Sequence, residues 1–179
     1  MQTLVRRGRV DDAPDIARVH VAAWRAAYQH AFTSKYLAAL SMPERENRWR
    51  DALADRQEAV FVAESDGGVV GFIAVGSSRD ADASTRHRDG ELHTIYVHPD
   101  YWGAETGAEL HDVGVQALID DDYQEATLWV LDTNTRARRF YVRCGWTPDG
   151  GAKHGEYGGT SILEVRYRRS LKTAGTRPG

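Results

Sequence analysis

The stretch from Glu91 to Gly107, ELHTIYVHPDYWGAETG, constrains the fold more than any other part of the chain. Leu92 to Val97 is apolar and β-branched or aromatic, the pattern of a strand covered on both faces. Pro99 cannot continue its ladder. Gly103 and Gly107 bracket a turn, after which Leu110, Val113, Ala117 and Leu118 recur at helical spacing. A strand, a turn and a helix N-terminus therefore follow one another. Free N–H groups and the positive end of the dipole make such a terminus a site for an anion, typically a phosphate. A nucleotide is the ligand this arrangement suggests.

The flanking segments supply the layers that would cover this strand. Residues 3 to 10 read as a first strand, and Asp11, Asp12 and Pro14 mark a helix start whose stripe is Ile16, Val19, Ala23 and Ala27. Ser41 and Glu44, three apart around Pro43, open a second helix carrying Trp49 and Leu53. VFVAES, the turn Asp66-Gly67-Gly68 and VVGFIAV make a hairpin. Residues 77 to 90 hold almost nothing that could be buried and are expected to form a polar, mobile loop. Asp120 to Asp122 ends the helix after the glycine turn, and ATLWVL is a short buried strand. Ala137, Phe140, Tyr141 and Cys144 share one face of a last helix that Gly145 is placed to end. A Trp146 segment, a glycine-rich stretch from Gly150 to Gly159 and the strand SILEVRYR follow. The tail from Thr173 onward is expected to be disordered.

At 179 residues the chain suggests one domain over residues 1–170, large enough to bury a core without disulfide or metal. A net charge of −3 gives no global pull toward nucleic acid or an anionic membrane. The Arg166, Arg168, Arg169 and Lys172 cluster is too short to claim nucleic acid and reads as a solvated face. Cys144 is the only cysteine, which suits a reducing cytoplasm and, on an apolar helix face, reads as packing. No apolar run approaches a membrane span, and the seven histidines show no metal-ligand spacing.

Two motifs carry a family resemblance. The central stretch resembles the acetyl-CoA signature of the GNAT N-acetyltransferases, where a strand ending in Val-x-Pro leads into Gln/Arg-x-x-Gly-x-Gly/Ala and a helix. Aligned on Val97 and Pro99, the signature falls on Trp102, Gly103, Ala104, Glu105, Thr106 and Gly107. Trp102 replaces the Gln/Arg, Glu105 replaces the first glycine, and Gly107 fits. A second motif, Asn-x-x-Ala-x-x-Phe-Tyr-x-x-x-Gly-Phe/Trp, appears in Asn134, Ala137, Phe140, Tyr141, Gly145 and Trp146. The resemblance implies an α/β GNAT fold, a mixed sheet of about seven strands with helices on both faces. It implies acetyl-CoA as cosubstrate, no metal, and a small-molecule or peptide amine as acceptor, and it leaves a homodimer open.

The resemblance also assigns residues. Backbone groups of Ile95, Tyr96 and Val97 would pair with the pantetheine arm, because the family splays this strand from its parallel neighbour. An N–H of Tyr96 or Val97 would polarise the thioester carbonyl. Tyr141 takes the position of the acid for the leaving thiolate, and Glu91 that of the carboxylate that deprotonates the amine. His93, two residues on, is an alternative base, and Asn134 is a helix cap or a contact to the pantetheine. Trp24, Tyr28 and Tyr36 suggest an aromatic acceptor wall, which core packing explains equally. A degenerate, non-catalytic GNAT-fold protein that binds a ligand or partner is the alternative, with Glu105 in the anion's place. An acyltransferase using a larger acyl group is a third.

Overall fold

The computed structural model describes residues 3–55, 58–65, 67–83 and 88–171. Seven strands form one sheet in the order β1-β2-β3-β4-β5-β7-β6. They are β1 (Leu4–Arg7), β2 (Ala59–Ser65), β3 (Gly68–Ser77), β4 (Asp89–Val97), β5 (Glu125–Leu131), β6 (Thr147–Tyr157) and β7 (Thr160–Ser170). Only β4 and β5 run parallel. Helices α1 (Ala13–Ala27), α2 (Ser34–Ala38) and α3 (Met42–Asp55) follow β1, α4 (Thr106–Asp120) joins β4 to β5, and α5 (Thr135–Arg143) joins β5 to β6.

Two cores sandwich the sheet. Leu110, Val115 and Leu118 of α4 and Tyr141 of α5 pack with Ile73, Val75, Leu92 and Leu128 on one face. Ile16 and Val19 of α1 and Trp49 of α3 pack with Val60, Val62, Phe72 and Ala74 on the other. A third cluster, Trp24, Tyr28, Phe32, Leu37 and Leu131, closes the end of the sheet beyond β5. Each core holds a neutral histidine that accepts an indole N–H. Trp49 Nε1 donates to His20 Nδ1 at 3.1 Å, and Trp146 Nε1 to His111 Nε2 at 2.9 Å. Indole can only donate, so each imidazole satisfies a buried group that an apolar neighbour would orphan.

Local signals account for most boundaries. Ser41 Oγ accepts the Glu44 N–H at 3.3 Å, Asn134 Oδ1 accepts the Ala137 N–H at 3.1 Å, and Gly145 at φ 84° ends α5. Gly67, at φ 81°, turns the β2–β3 hairpin, while Asp66 lies outside the described residues.

The structure departs from the sequence reading in several places. The first strand stops at Arg7, and a single 3-10 turn, Val10–Asp12, leads into α1. The short helix α2, capped by Thr33, has too few residues to show a period. The strand before SILEVRYR, one of the seven expected, is β6 and extends through most of the glycine-rich stretch, where its residues are largely exposed and pairing with β7 sets its length. Finally, residues 78–83 of the polar loop are tied down. Asp80 accepts from Trp129 Nε1 at 2.8 Å and from Arg166 at 3.2 Å, and Asp82 takes both terminal nitrogens of Arg166. Arg166 also holds Asp149, and Arg168 bridges Asp149 and Glu125. Within the basic cluster read as a solvated face, Arg166 and Arg168 thus form an ion-paired clamp and Arg169 donates to the Cys144 carbonyl at 2.7 Å, with Lys172 outside the described residues. Sequence spacing cannot show this, because its partners are 17 to 86 residues away.

The packing of α4 on β3 gives a direct test. A Cβ on Gly114 would lie 2.5 Å from Ile73 Cδ1 and 3.2 Å from Val75 Cγ1, both in the fully buried core. Alanine gains about 1 kcal/mol of helix propensity over glycine, whereas overpacking costs about 1–3 kcal/mol. Gly114→Ala is expected to lose stability in urea denaturation rather than gain it.

Candidate active site

The parallel β4–β5 ladder is short. It runs only through Asp89↔Glu125, Gly90↔Ala126 and Glu91↔Thr127. From there β4 stays with β3 as far as Val97, while β5 stays with β7 as far as Leu131. The divergence coincides with a bulge. Val75 pairs with Leu92 and Ala74 with Thr94, so His93 is an extra residue that bends β4 just past the last parallel pair. The His93 Nε2 donates to the Ser77 carbonyl at 3.0 Å. Its Nδ1 lies 2.9 Å from Glu58 Oε1, near enough for an ion pair but not aligned as a hydrogen bond. The bulge also resets the alternation. Leu92, Ile95 and Val97 pack on the α4 side, whereas Tyr96 packs on the α1–α3 side.

The gap between the strands opens into a cleft of about 1620 Å³. The His98 N–H donates to the Val70 carbonyl at 2.8 Å. Antiparallel alternation then commits the N–H and C=O of Tyr96 to Phe72 and turns those of Ile95 and Val97 toward the gap. The Val97 carbonyl is taken by the Trp102 indole N–H at 2.8 Å. What remains is the Val97 N–H and both polar groups of Ile95. Of the two donors expected for a thioester carbonyl, Val97 is the one so directed.

At one end of the cleft lies the turn before α4. Gly103 sits at φ 87°, where a side chain is strained. Glu105 has φ −74° and ψ −10°, an ordinary helical conformation that needs no glycine. Its side chain is exposed and makes no cap hydrogen bond, so it does not occupy the helix N-terminus. The N–H groups of Ala108 and Glu109 are bonded to the Glu105 carbonyl, which leaves those of Thr106 and Gly107 without an intrahelical acceptor. Over this turn Arg136 of α5 stacks on the Trp102 ring at 4.0 Å and has no ion-pair partner among the described residues. Arg138 is instead spent on Asp132 and Tyr167.

Tyr141 reaches the middle of the cleft from α5, buried and packed against Phe140, Trp146 and Tyr167. Burial, and then the neighbouring Tyr96 phenol, push its pKa well above the usual phenol value. Asn134 lines the cleft, but its side-chain oxygen is used as the α5 cap. Cys144 is half-buried at the end of that helix, its thiol pushed up by burial, as packing would have it.

The other end is aromatic and charged. Tyr96 accepts the Trp24 indole N–H at 2.9 Å and stacks on His20 at 5.0 Å. Trp24, Tyr28 and Tyr157 join them on the cleft wall, while Tyr36 packs beneath, against Phe32 and the Gly158 turn. Glu91 is buried, not exposed at a strand mouth, and both its oxygens are engaged. Oε1 accepts from the Arg79 guanidinium at 2.7 Å, and Oε2 from the Arg79 backbone N–H at 2.8 Å. Arg79 and Glu164, also on the wall, carry no signal in the linear sequence. Among the described residues no group of His, Cys, Asp and Glu could hold a metal ion, and no helix is long and apolar enough to cross a membrane.

A split parallel strand pair, unspent backbone groups in the gap and an open helix N-terminus beyond it are the arrangement of an acyltransferase. The chain belongs to the GNAT acetyltransferase family, whose model, described as "Acetyltransferase (GNAT) family", matches residues 21–146. It is 34% identical over 138 residues to an uncharacterized N-acetyltransferase of Archaeoglobus fulgidus, covering 77% of this chain and 88% of that one. It is 31% identical over 131 residues to the uncharacterized N-acetyltransferase YuaI of Bacillus subtilis, covering 73% and 72%. Its fold is that of yncA, a putative acetyltransferase from Salmonella typhimurium solved with acetyl-CoA, at a TM-score of 0.71, 17% identity and 99% coverage of both chains.

The buried histidines make stability depend on pH. Burial, with Arg45 and Arg48 adding repulsion, pushes His20 down to about 3, and burial lowers His111 as well. An unfolded histidine takes its proton near pH 6.5, so the His20 contribution is complete above that value and is lost as pH falls toward about 3. Between pH 7 and 5 the wild type should lose stability at up to about 1.4 kcal/mol per pH unit below 6.5 for this group. Urea denaturation at both pH values should show a smaller loss in His20→Gln.

Proposed function

We propose that the chain transfers an acetyl group from acetyl-CoA to an amine by direct attack within the cleft. The observation that carries this reading is the early divergence of β4 from β5, with Ile95 and Val97 facing the gap in line with the open N-terminus of α4. A pantetheine arm is an extended chain with two amides. It pairs with Ile95 and Val97 as an added strand would, and the free Val97 N–H polarises the thioester carbonyl. Thr106 and Gly107 offer N–H groups to the pyrophosphate, and Gly107, whose absent Cβ would contact Phe140 at 3.7 Å, keeps the backbone accessible.

The positive charge that Trp102 lacks comes from Arg136, held over its ring. This weighs against the degenerate reading, as does a Glu105 side chain that leaves the helix terminus open. Tyr141 is the acid. It holds its proton at neutral pH, and a thiolate leaving in the same dry site is disfavoured for the reason that the phenolate is, so the proton passes to sulfur. Glu91, with Arg79 on both oxygens, is a poor free base and a good anchor for Arg79. Neither is His93 free to accept, since its Nε2 proton is spent on Ser77 and its Nδ1 faces a carboxylate. Acetyl-CoA use and a lone cysteine suit the cytoplasm.

Calorimetry should show acetyl-CoA binding, and no heat with millimolar cofactor would end the enzymatic reading. Glu105→Gly should tighten that binding a few-fold, more at low than at moderate salt, because an exposed carboxylate near phosphates repels them through screened solvent.

Tyr141→Phe keeps the ring and removes the proton. Steady-state kinetics should give a kcat lower by about a hundredfold with little change in acetyl-CoA affinity.

A further inference from the structure

The acceptor end of the cleft carries four carboxylates among the described residues, Glu58, Asp80, Glu91 and Glu164. Two of them already have a cation, and a third faces a histidine ring. Glu91 is held by Arg79, Asp80 by Arg166, and Glu58 lies 2.9 Å from the His93 ring. Glu164 has none. The only hydrogen bond to its carboxylate among the described residues comes from the Tyr157 hydroxyl at 3.3 Å, although the residue is only 9% exposed. The nearest lysine in register, Lys153 directly across the β6–β7 ladder, places its ammonium over the Trp129 ring at 4.0 Å instead.

The position of Glu164 follows from the sheet. It pairs with Leu131, the last residue of β5, where that strand has fully parted from β4. Leu131 belongs to the aromatic cluster of Trp24, Tyr28, Tyr96 and Tyr157, and the Glu164 carboxylate meets that cluster at the Tyr157 hydroxyl. Tyr157 lies 5.9 Å from Trp24, whose N–H bonds the Tyr96 hydroxyl at the gap. A buried carboxylate without a counter-ion is costly unless a cation arrives with a ligand. Aromatic faces around it favour that cation further.

We infer that Glu164 receives the acceptor's ammonium group and takes its proton, with Tyr157 positioning the carboxylate. The inference rests on the acetyltransferase reading and assigns the base that Glu91 is unable to be. An alkylammonium ion binds against Glu164 and transfers one proton to its carboxylate, leaving a neutral amine. The amine nitrogen forms a bond to the thioester carbonyl carbon, and the carbon–sulfur bond breaks as Tyr141 protonates the sulfur. The second proton lost by nitrogen restores Tyr141, and Glu164 returns its own to water. One amide, one thiol and one released proton balance the ammonium and the thioester. The titratable and charged groups that face this pair are Lys153 from β6, Tyr96 from β4 and Tyr36 from α2. Tyr157 itself is pushed up to about 12 by burial and then by the Glu164 carboxylate, so it remains a donor throughout the working range.

The test uses n-butylamine as probe on the full chain, with n-butanol as its neutral isostere. Calorimetry into CoA-saturated protein at pH 7 should show n-butylammonium binding to the wild type, weakened at least tenfold in Glu164→Gln, and no such dependence for n-butanol. With acetyl-CoA, Glu164→Gln should lower kcat/KM for the amine about a hundredfold at pH 7. The loss should shrink as pH rises toward the alkylammonium pKa of about 10.4, where the amine arrives already neutral. Glu91→Gln frees Arg79 and should lower the melting temperature, with a rate loss that is the same at every pH. A Glu164→Gln variant with wild-type kcat/KM, a loss independent of pH, or a wild type that binds acetyl-CoA but neither binds nor acetylates n-butylamine would overturn the assignment. A wild type that does not bind acetyl-CoA would overturn the acetyltransferase reading and this inference with it.

Discussion

Everything at the site depends on two strands that pair for three residues and then part. Parallel neighbours in a buried sheet ordinarily hold each other by evenly spaced hydrogen bonds, and abandoning them inside a protein orphans backbone groups at a cost of order 1–3 kcal/mol each. Here each strand keeps a partner on its outer side, β4 with β3 and β5 with β7, so both remain strands while their inner edges open. The extra residue His93 bends β4 where the parting begins, and its ring is fixed by the Ser77 carbonyl and by Glu58. Ile95 and Val97 are left with backbone groups directed into that opening.

The two ends of the cleft are built by different physics. At the turn before α4 the working parts are backbone, namely the N–H groups of a helix terminus, and the side chains serve to hold it. Trp102 ties the turn to Val97, and Arg136 sits on Trp102. At the acceptor end the working parts are side chains contributed by α1, β4, β6 and β7, and the backbone only sets their spacing. Charge there is nearly all neutralised internally. The Arg166 clamp and the Arg79–Glu91 pair hold the 78–83 segment over the sheet, although Ala81 and Ala83 are its only apolar side chains.

Two tryptophan–histidine pairs, one in each core, lock the layers together. Trp49 and His20 join α3 to α1, and Trp146 and His111 join the start of β6 to α4. Because both imidazoles must stay neutral to accept, the packing that supports the cleft is tied to pH in the same direction on both faces.

Chain-local physics is what the sequence determined by itself. Proline and glycine place the ends of β4 and α5, small polar residues cap α3 and α5, and apolar periodicity marks α1, α4 and the β2–β3 hairpin, since all of these depend on neighbours a few residues away. The turn before α4 and the Asn134 to Trp146 motif are local in the same way, which is why the family could be read from them. Tertiary structure alone decided the bulge at His93, the choice of Val97 over Tyr96 as the outward donor, and the length of the exposed β6. It also decided which carboxylates are free. Glu91 and Glu164 are alike as letters, yet among the described residues one carboxylate is held by Arg79 and the other by the Tyr157 hydroxyl. Whether a buried charge is neutralised depends on partners brought together from distant parts of the chain, and no spacing in the sequence encodes that.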